Sequence, residues 1–250
     1  MSTRNNPLTA RKSPLLCYVT DRHSLRVANQ AESVAALTEK VEEIAAAGVD
    51  WVQIREKDLS AKDLASFTRQ ALRVAAGVSA KRASAFRVLV NDRLDVAIAE
   101  RAHGVHLGET SLPVPDARRL IAAAARKKAP DESFLVGVST HSIEAALNAE
   151  RDGADYIFFG PVFATPSKAA FGVPQGLARL TEVCQAVRIP VLAIGGITIQ
   201  NAASCLHVGA AGFAAIRLYQ DALDPISTVI QLHQESTNSR RQPPADQSAY

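Results

Sequence analysis

Between Asp50 and Asp58 the sequence runs D-W-V-Q-I-R-E-K-D, and its polar residues alternate with apolar ones. In a strand, Gln53 and Arg55 face one side while Val52 and Ile54 face the other. A strand covered by helices shows neither face to bulk water, and a guanidinium held there needs an anionic partner. Gln53, Arg55 and Lys57 are therefore expected to form one polar, cationic row pointing into a binding site at a strand's end. The alternative is an ordinary strand that runs out into a charged turn, with Glu56 and Asp58 neutralising the cations locally. The first arrangement would serve a strongly anionic ligand.

Such a row needs a scaffold, and composition says what kind. Hydrophobic residues make up 47% and charged residues 21% of the 250, which excludes a disordered chain and allows a sizeable core. The net charge is +3, but five of the basic residues (Arg4, Arg11, Lys12, Arg240 and Arg241) lie in or near the two tails. The remainder are scattered, whereas a nucleic-acid surface would show a clustered patch or aromatic stacking platform, so no nucleic-acid partner is expected. Cys17, Cys184 and Cys205 lie far apart without C-x-x-C spacing, which argues against a disulfide framework or zinc site and fits a reducing, cytoplasmic setting. No secretory signal opens the chain, and no run of about 18 apolar residues exists, so no membrane partner is expected either.

Short runs rich in Val, Ile and Leu recur at 15–20, 51–55, 87–91, 104–107, 135–139, 156–162, 191–195 and 212–218. Longer amphipathic stretches lie between them, at 31–47, 61–76, 94–101, 114–128, 143–151, 177–187, 199–207 and 225–234. Gly48, Gly153 and Gly209 follow three of these helical stretches, as C-terminal caps do. Eight alternations of strand and helix predict the α/β class and a single closed (β/α)8 TIM barrel over residues 14–235. A doubly wound open sheet is the competing fold, but Thr20-Asp21-Arg22 stands where its glycine fingerprint would follow the first strand. Residues 1–13 and 236–250 lack a hydrophobic period and are expected to be disordered tails.

In a parallel barrel the chemistry sits where strands end and loops begin. Those positions hold Gln53, Arg55 and Lys57 after strand two, Asn91-Asp92 after strand three, and His106 with Glu109 at strand four. Ser139 and His141 follow strand five, Thr165, Ser167 and Lys168 lie on the loop after strand six, Gly195-Gly196 closes strand seven, and Arg217 ends strand eight. This cationic, hydroxyl-rich set with paired glycines suits a phosphate-bearing ligand, because backbone N–H groups approach closely where Gly lacks a side chain. Each residue has a plainer role as well. Asn91-Asp92 could cap the next helix, His106 could be a hydrogen-bonded core histidine, and Gly195-Gly196 could be a simple turn. No base accompanies the cysteines, so nucleophilic catalysis is not expected.

Taken in order, Y-V-T-D, V-Q-I-R-E-K, V-N-D-R-L-D, G-V-H-L-G, G-V-S-T-H-S, D-Y-I-F-F-G-P-V-F-A-T-P-S-K and A-I-G-G-I resemble the family of thiamine phosphate synthase and its relative, the thiazole tautomerase. The resemblance spans residues 15–219 and itself implies a (β/α)8 barrel. It implies an enzyme that joins hydroxymethylpyrimidine pyrophosphate to thiazole phosphate and releases pyrophosphate, with these small molecules as partners and a homo-oligomer allowed. It further implies that Arg55, Lys57, Asn91 and Lys168 hold the pyrophosphate, with Asp92 on a Mg2+ ion. Gln53, His106 and Ser139 would contact the pyrimidine, Thr165 and Ser167 would line the hydroxyl-bearing loop, and Gly195-Gly196 would receive the thiazole phosphate. Lys57 and Lys168 are the implied catalytic cations.

Two departures stand out. After G-V-H-L-G the family carries glutamine and, two residues on, an aspartate that is a second magnesium ligand. Glu109 and Ser111 occupy those places here, so Glu109 is the candidate replacement ligand. Arg217 stands where a serine near the thiazole phosphate is usual, and its guanidinium could bind that phosphate in two-pronged fashion or pair with a carboxylate. The lost aspartate favours the tautomerase alternative, in which His141 is the acid–base residue, while the R-E-K cations and the T-P-S-K loop favour the synthase. A non-catalytic binder of a thiamine precursor is the third reading, supported only by the tails.

Overall fold

Eight short strands, each followed by helix, can bury both faces and leave no open edge by closing into a ring with helices outside. The computed structural model describes residues 13–25, 32–82, 85–125, 134–165 and 173–241, and takes that form. The strands are β1 (Leu15–Val19), β2 (Trp51–Ile54), β3 (Arg87–Asn91), β4 (Gly104–Leu107), β5 (Leu135–Thr140), β6 (Tyr156–Phe159), β7 (Val191–Ile194) and β8 (Gly212–Ala215). The helices are α1 (Ser33–Ala47), α2 (Ala61–Ser79), α3 (Leu94–Ala99), α4 (Val114–Ala125), α5 (Ile143–Arg151), α6 (Gly176–Ala186), α7 (Ile199–His207), α8 (Arg217–Gln220) and α9 (Pro225–Arg241). All neighbouring strands pair in parallel, and β8 closes on β1 with Leu15 opposite Gly212.

Alternation along each strand sorts the side chains into two layers. Leu15, Cys17, Trp51, Leu89, Tyr156, Phe158 and Leu192 fill the barrel's interior. Leu16, Val52, Ile54, Val88, Val90, Val105 and Ile157 point outward into the layer beneath the helices. Gly137 shows how tightly the inside is filled: a β-carbon there would lie 2.0 Å from Cζ of Tyr156, so only glycine leaves room for that ring. Tyr156 in turn packs edge-on against Trp51, ring centroids 4.9 Å apart. This plug forms a rigid floor for whatever sits at the strands' C-terminal ends.

Local chemistry sets the helix boundaries. The Ser60 hydroxyl accepts the Asp63 N–H at 3.1 Å to open α2, and the Ser142 hydroxyl accepts the Ala145 N–H at 3.0 Å to open α5. Gly48, at φ +114°, ends α1 in the left-handed conformation that glycine adopts without strain.

Several boundaries depart from the sequence expectation, three of them with a bearing on the site or the tails. The sixth strand stops at Phe159, because Pro161 has no N–H with which to extend a ladder. The eighth stops at Ala215 and the chain turns into α8, so Arg217 opens a short helix and does not end a strand. Finally, α9 runs on to Arg241, which makes residues 236–241 helical where a tail was expected. Val229 and Leu232 are buried as α9 packs against α1 and α7, and no Gly or Pro interrupts the following residues. Residues 1–12 and 242–250, the rest of the expected tails, lie outside the described residues. Among the described residues no helix is long and apolar enough to cross a membrane, and Cys17, Cys184 and Cys205 are all free thiols.

Candidate active site

The inward parity that places Trp51 in the plug places Gln53 one layer higher, at the barrel mouth, where it is 2% exposed. Its Nε2 donates to Asn91 Oδ1 at 2.8 Å, and Asn91 Nδ2 donates to Asp92 Oδ2 at 2.8 Å. The other oxygen of Asp92 accepts the Gly108 N–H at 2.9 Å and the Ser111 hydroxyl. The relay has one direction, because a carboxylate only accepts and so forces Asn91 to turn its nitrogen toward Asp92. Asp92 reaches this place through a left-handed backbone, φ +59°, a conformation Asp tolerates better than most residues. Partial burial pushes its carboxyl up. The hydrogen bonds from Ser111, Gly108 and Asn91, with the nearby charge of Lys57, outweigh that and hold it below the ordinary carboxylate range.

A second cluster stands beside the first. His106, inward on β4 and 1% exposed, bonds through Nε2 to the Ser139 hydroxyl at 2.9 Å and through Nδ1 to the Tyr156 hydroxyl at 3.1 Å. Its ring lies 4.1 Å, centroid to centroid, from that of Phe158. Burial pulls its pKa down to about 3 against a weak upward pull from Asp92, so the imidazole is neutral at pH 7. His106 is thus both a satisfied core histidine and part of the mouth.

The acids of R-E-K-D do not neutralise its cations. Glu56, on the outward parity after Ile54, accepts the Thr20 hydroxyl at 2.6 Å and Nη1 of Arg22 at 3.0 Å. Asp58 takes Nη1 and Nη2 of the same guanidinium at 2.6 and 2.5 Å, and His23 Nε2 lies 3.0 Å away. The hydrogen bond from Arg22 pulls the Asp58 carboxyl far below its usual range. Arg55 is half-buried and Lys57 exposed, and neither side chain has a hydrogen-bond or ion-pair partner among the described residues. Lys57, Asn91, Asp92 and Arg93 share the lining of a cavity of about 250 Å³ at this edge of the rim.

Across the mouth, His141 Nδ1 bonds to the Gly160 carbonyl. A carbonyl only accepts, so Nδ1 carries the proton and Nε2 keeps its lone pair in the neutral ring. Gly195 and Gly196 turn with φ of +94° and +66°, and a β-carbon on them would lie 2.5 Å from Pro161 Cβ and 2.6 Å from the Ala164 carbonyl oxygen. Neither N–H has a backbone acceptor among the described residues. Thr165 is half-buried at the end of the described part of its loop, and Ser167 and Lys168 lie outside the described residues. Glu109 is exposed on the turn that carries Gly108 and Ser111, and Arg217 is exposed at the start of α8.

The structure therefore bonds Gln53, Asn91 and Asp92 into one network and His106 with Ser139 into another, with Lys57 alongside the first. No hydrogen bond or ion pair joins Glu109 or Arg217 to either among the described residues. Four participants were not singled out as site residues from the sequence: Thr20, Arg22, Ser111 as a hydrogen-bond donor, and Tyr156. Tyr156 had a usable signal, since it shares the inward parity of Phe158 in D-Y-I-F-F.

A profile of the thiamine monophosphate synthase family matches residues 17–218. The thiamine-phosphate synthase of Roseiflexus castenholzii is 37% identical over 225 residues, 90% of this chain and 89% of its own. That of Anaeromyxobacter dehalogenans is 43% identical over 178 residues, covering 71% of this chain and 73% of its own. The solved thiamine phosphate pyrophosphorylase of Pyrococcus furiosus superposes with a TM-score of 0.71 at 30% identity, covering 90% of this chain and 96% of that one. With residues 17–218 matched by the family profile and the barrel superposed on a solved relative, the chain belongs to the thiamine monophosphate synthase family.

Proposed function

We propose that this chain is a transferase that joins hydroxymethylpyrimidine pyrophosphate to thiazole phosphate, giving thiamine monophosphate and pyrophosphate. The relatives are named for this activity. The observation that carries it here is Lys57 beside the Asn91–Asp92 relay, with Arg55 two residues before it, neither cation having a hydrogen-bond or ion-pair partner among the described residues. When the bond from the pyrimidine's methylene carbon to the diphosphate oxygen breaks, the electron pair leaves with the diphosphate and positive charge spreads into the aminopyrimidine ring. Fixed donors at the departing group stabilise it without reorganisation, an effect of about 3–4 kcal/mol for one donor of this kind.

In this reading Arg55, Lys57, Asn91 and Lys168 hold the diphosphate. Gln53, His106 and Ser139 hold the pyrimidine, and the neutrality of His106 matters because an imidazolium there would repel the developing ring cation. The plug of Trp51, Tyr156 and Phe158 keeps water from below. The Gly195 and Gly196 N–H groups, without a backbone acceptor among the described residues, receive the thiazole phosphate with Arg217 at the start of α8, and Thr165 and Ser167 line the hydroxyl-bearing loop. The thiazole nitrogen then gives its lone pair to the methylene carbon.

Magnesium fits the donors present, in a limited way. The Asp92 carboxylate stays ionised, and its Oδ2, with one donor on it, keeps a lone pair free. Among the described residues no three His, Cys, Asp or Glu side chains gather to form a protein cage. That suits an ion held by one or two carboxylates, Asp92 with Glu109, and otherwise by phosphate oxygens and water. Bound so, Mg2+ would neutralise charge on the diphosphate.

The test mixes purified protein with both substrates and varied Mg2+, and follows thiamine monophosphate and pyrophosphate; no product rejects the proposal. Lys57→Ala and Lys168→Ala are expected to depress pyrophosphate release far more than thiazole phosphate binding, and unchanged turnover would reject their roles. His141, whose Nε2 has no hydrogen-bond partner among the described residues, favours a second reading, proton shuffling between thiazole isomers. That reading fails if His141→Ala interconverts the isomers at the parent rate.

A further inference from the structure

The sequence places Glu56 between Arg55 and Lys57 and places Asp58 directly after Lys57. Two acids so close at a rim are the natural partners of those two cations, and an internal ion pair would compete with any anionic ligand. Glu56 even lines the same cavity as Lys57, yet one guanidinium holds both acids. Arg22, whose side chain is 11% exposed, donates to Glu56 and grips Asp58 with both terminal nitrogens. Its own backbone N–H also points at the Glu56 carboxylate, 3.3 Å from each oxygen. The Thr20 hydroxyl, which donates to Glu56, accepts the Arg55 N–H at 2.9 Å, so the ends of β1 and β2 are sewn together at this point.

We infer that Arg22 keeps Arg55 and Lys57 available to an anionic ligand by taking up both carboxylates of the R-E-K-D turn. The identity of that ligand, a diphosphate, rests on the synthase reading above. Arg22 acts through its neighbours and need not touch the ligand. Without its guanidinium, Glu56 is a buried acid left to the Thr20 hydroxyl and the residue-22 N–H, with Arg55 and Lys57 as its sequence neighbours, and half-exposed Asp58 is free to swing toward Lys57. At a partly shielded rim such charges attract several times more strongly than in bulk water. The turn then becomes self-neutralised and its hold on phosphate falls.

Calorimetric binding of inorganic pyrophosphate, at fixed Mg2+ and low salt, reads this without turnover. Arg22→Met is expected to weaken binding about fivefold or more, the range in which loss of one partner of a charge pair is felt. Arg22→Met combined with Glu56→Gln and Asp58→Asn is expected to recover parent affinity to within about twofold, because no acid is left to compete. A purely mechanical brace predicts the opposite, that the triple variant stays as weak as the single one; that result, or parent-like binding by Arg22→Met, overturns the inference. If Arg22→Met alone does not fold, Arg22→Met/Glu56→Gln replaces it, since Asp58 remains as the competing charge. Equal affinity in that double variant and the triple one again overturns it. A parent that binds no pyrophosphate and makes no thiamine monophosphate sinks the synthase reading itself, whereas an active parent with indifferent variants sinks only the role of Arg22.

Discussion

Replacing His106 by glutamine isolates the cost of keeping an imidazole neutral inside the barrel mouth. In the folded protein its pKa lies at about 3, and in the unfolded chain it returns to its ordinary value of 6.5. Between those values the unfolded chain binds the proton and the folded one does not, so the parent loses stability as pH falls through this window. From pH 7 to pH 5 the loss is about 2 kcal/mol, and it hardly depends on the folded value once that lies below about 4. His106→Gln keeps donors and acceptors near Ser139 and Tyr156 but has nothing to titrate, and every other group titrates alike in the two proteins. Urea unfolding of parent and variant at pH 7 and pH 5 therefore reads the difference of differences, with the ring's NMR titration as an independent measure. A stability gap between the two proteins that is the same at both pH values would refute the neutral, buried assignment. It would also remove the argument that this ring leaves the pyrimidine cation unopposed.

Two further outcomes follow from the mouth's geometry. Gly196→Ala must fit a β-carbon 2.6 Å from the Ala164 carbonyl oxygen and 2.7 Å from Phe163 Cβ, at φ +66°. Overpacking and the left-handed backbone together cost about 2–4 kcal/mol, so a lowered melting temperature and a raised KM for thiazole phosphate are expected, and parent-like values of both would count against the phosphate turn. Asp92→Asn keeps the shape but sets an amide nitrogen against Asn91 Nδ2 or against its other donors, and it removes the negative charge. The Mg2+ concentration for half-maximal rate is expected to rise about tenfold or more, as when a hard carboxylate ligand is lost, and an unchanged Mg2+ dependence would dismiss Asp92 as a metal ligand.

Much of the barrel could be read from the sequence because strand parity and helix period are properties of single segments. Gln53, Asn91, His106 and Ser139 face the mouth because each sits an even number of residues along its strand from an inward apolar residue, Trp51, Leu89 or Leu135, or, for His106, from an inward glycine. The start of α8 escaped that logic. Its residues, I-R-L-Y, carry the same apolar run a strand would, and only the end of the β8 pairing decides where the ladder stops. The length of α9 escaped it too, since polar residues past Gln234 give no period while Leu232 and its neighbours anchor the helix from one side.

Charge pairing was harder still, and for a reason with consequences for the chemistry. Within Arg55–Asp58 the acids and bases alternate, so local sequence favours pairing among themselves, which would leave a neutral turn. What breaks the tie is not local: β1 and β2 are neighbours in the barrel, with Val19 opposite Gln53, and that register brings Thr20 and Arg22 beside Glu56. The exposed half of the Arg22 contact, to Asp58, gains about 1 kcal/mol or less, whereas the buried half keeps the Glu56 carboxylate paired. The effect of Arg22 on the mouth is in what remains: Arg55 and Lys57 without an ion-pair partner among the described residues, with Lys57 near the ionised carboxylate that the relay holds in place. The binding potential of the mouth is thus set by a residue outside the motif that displays it.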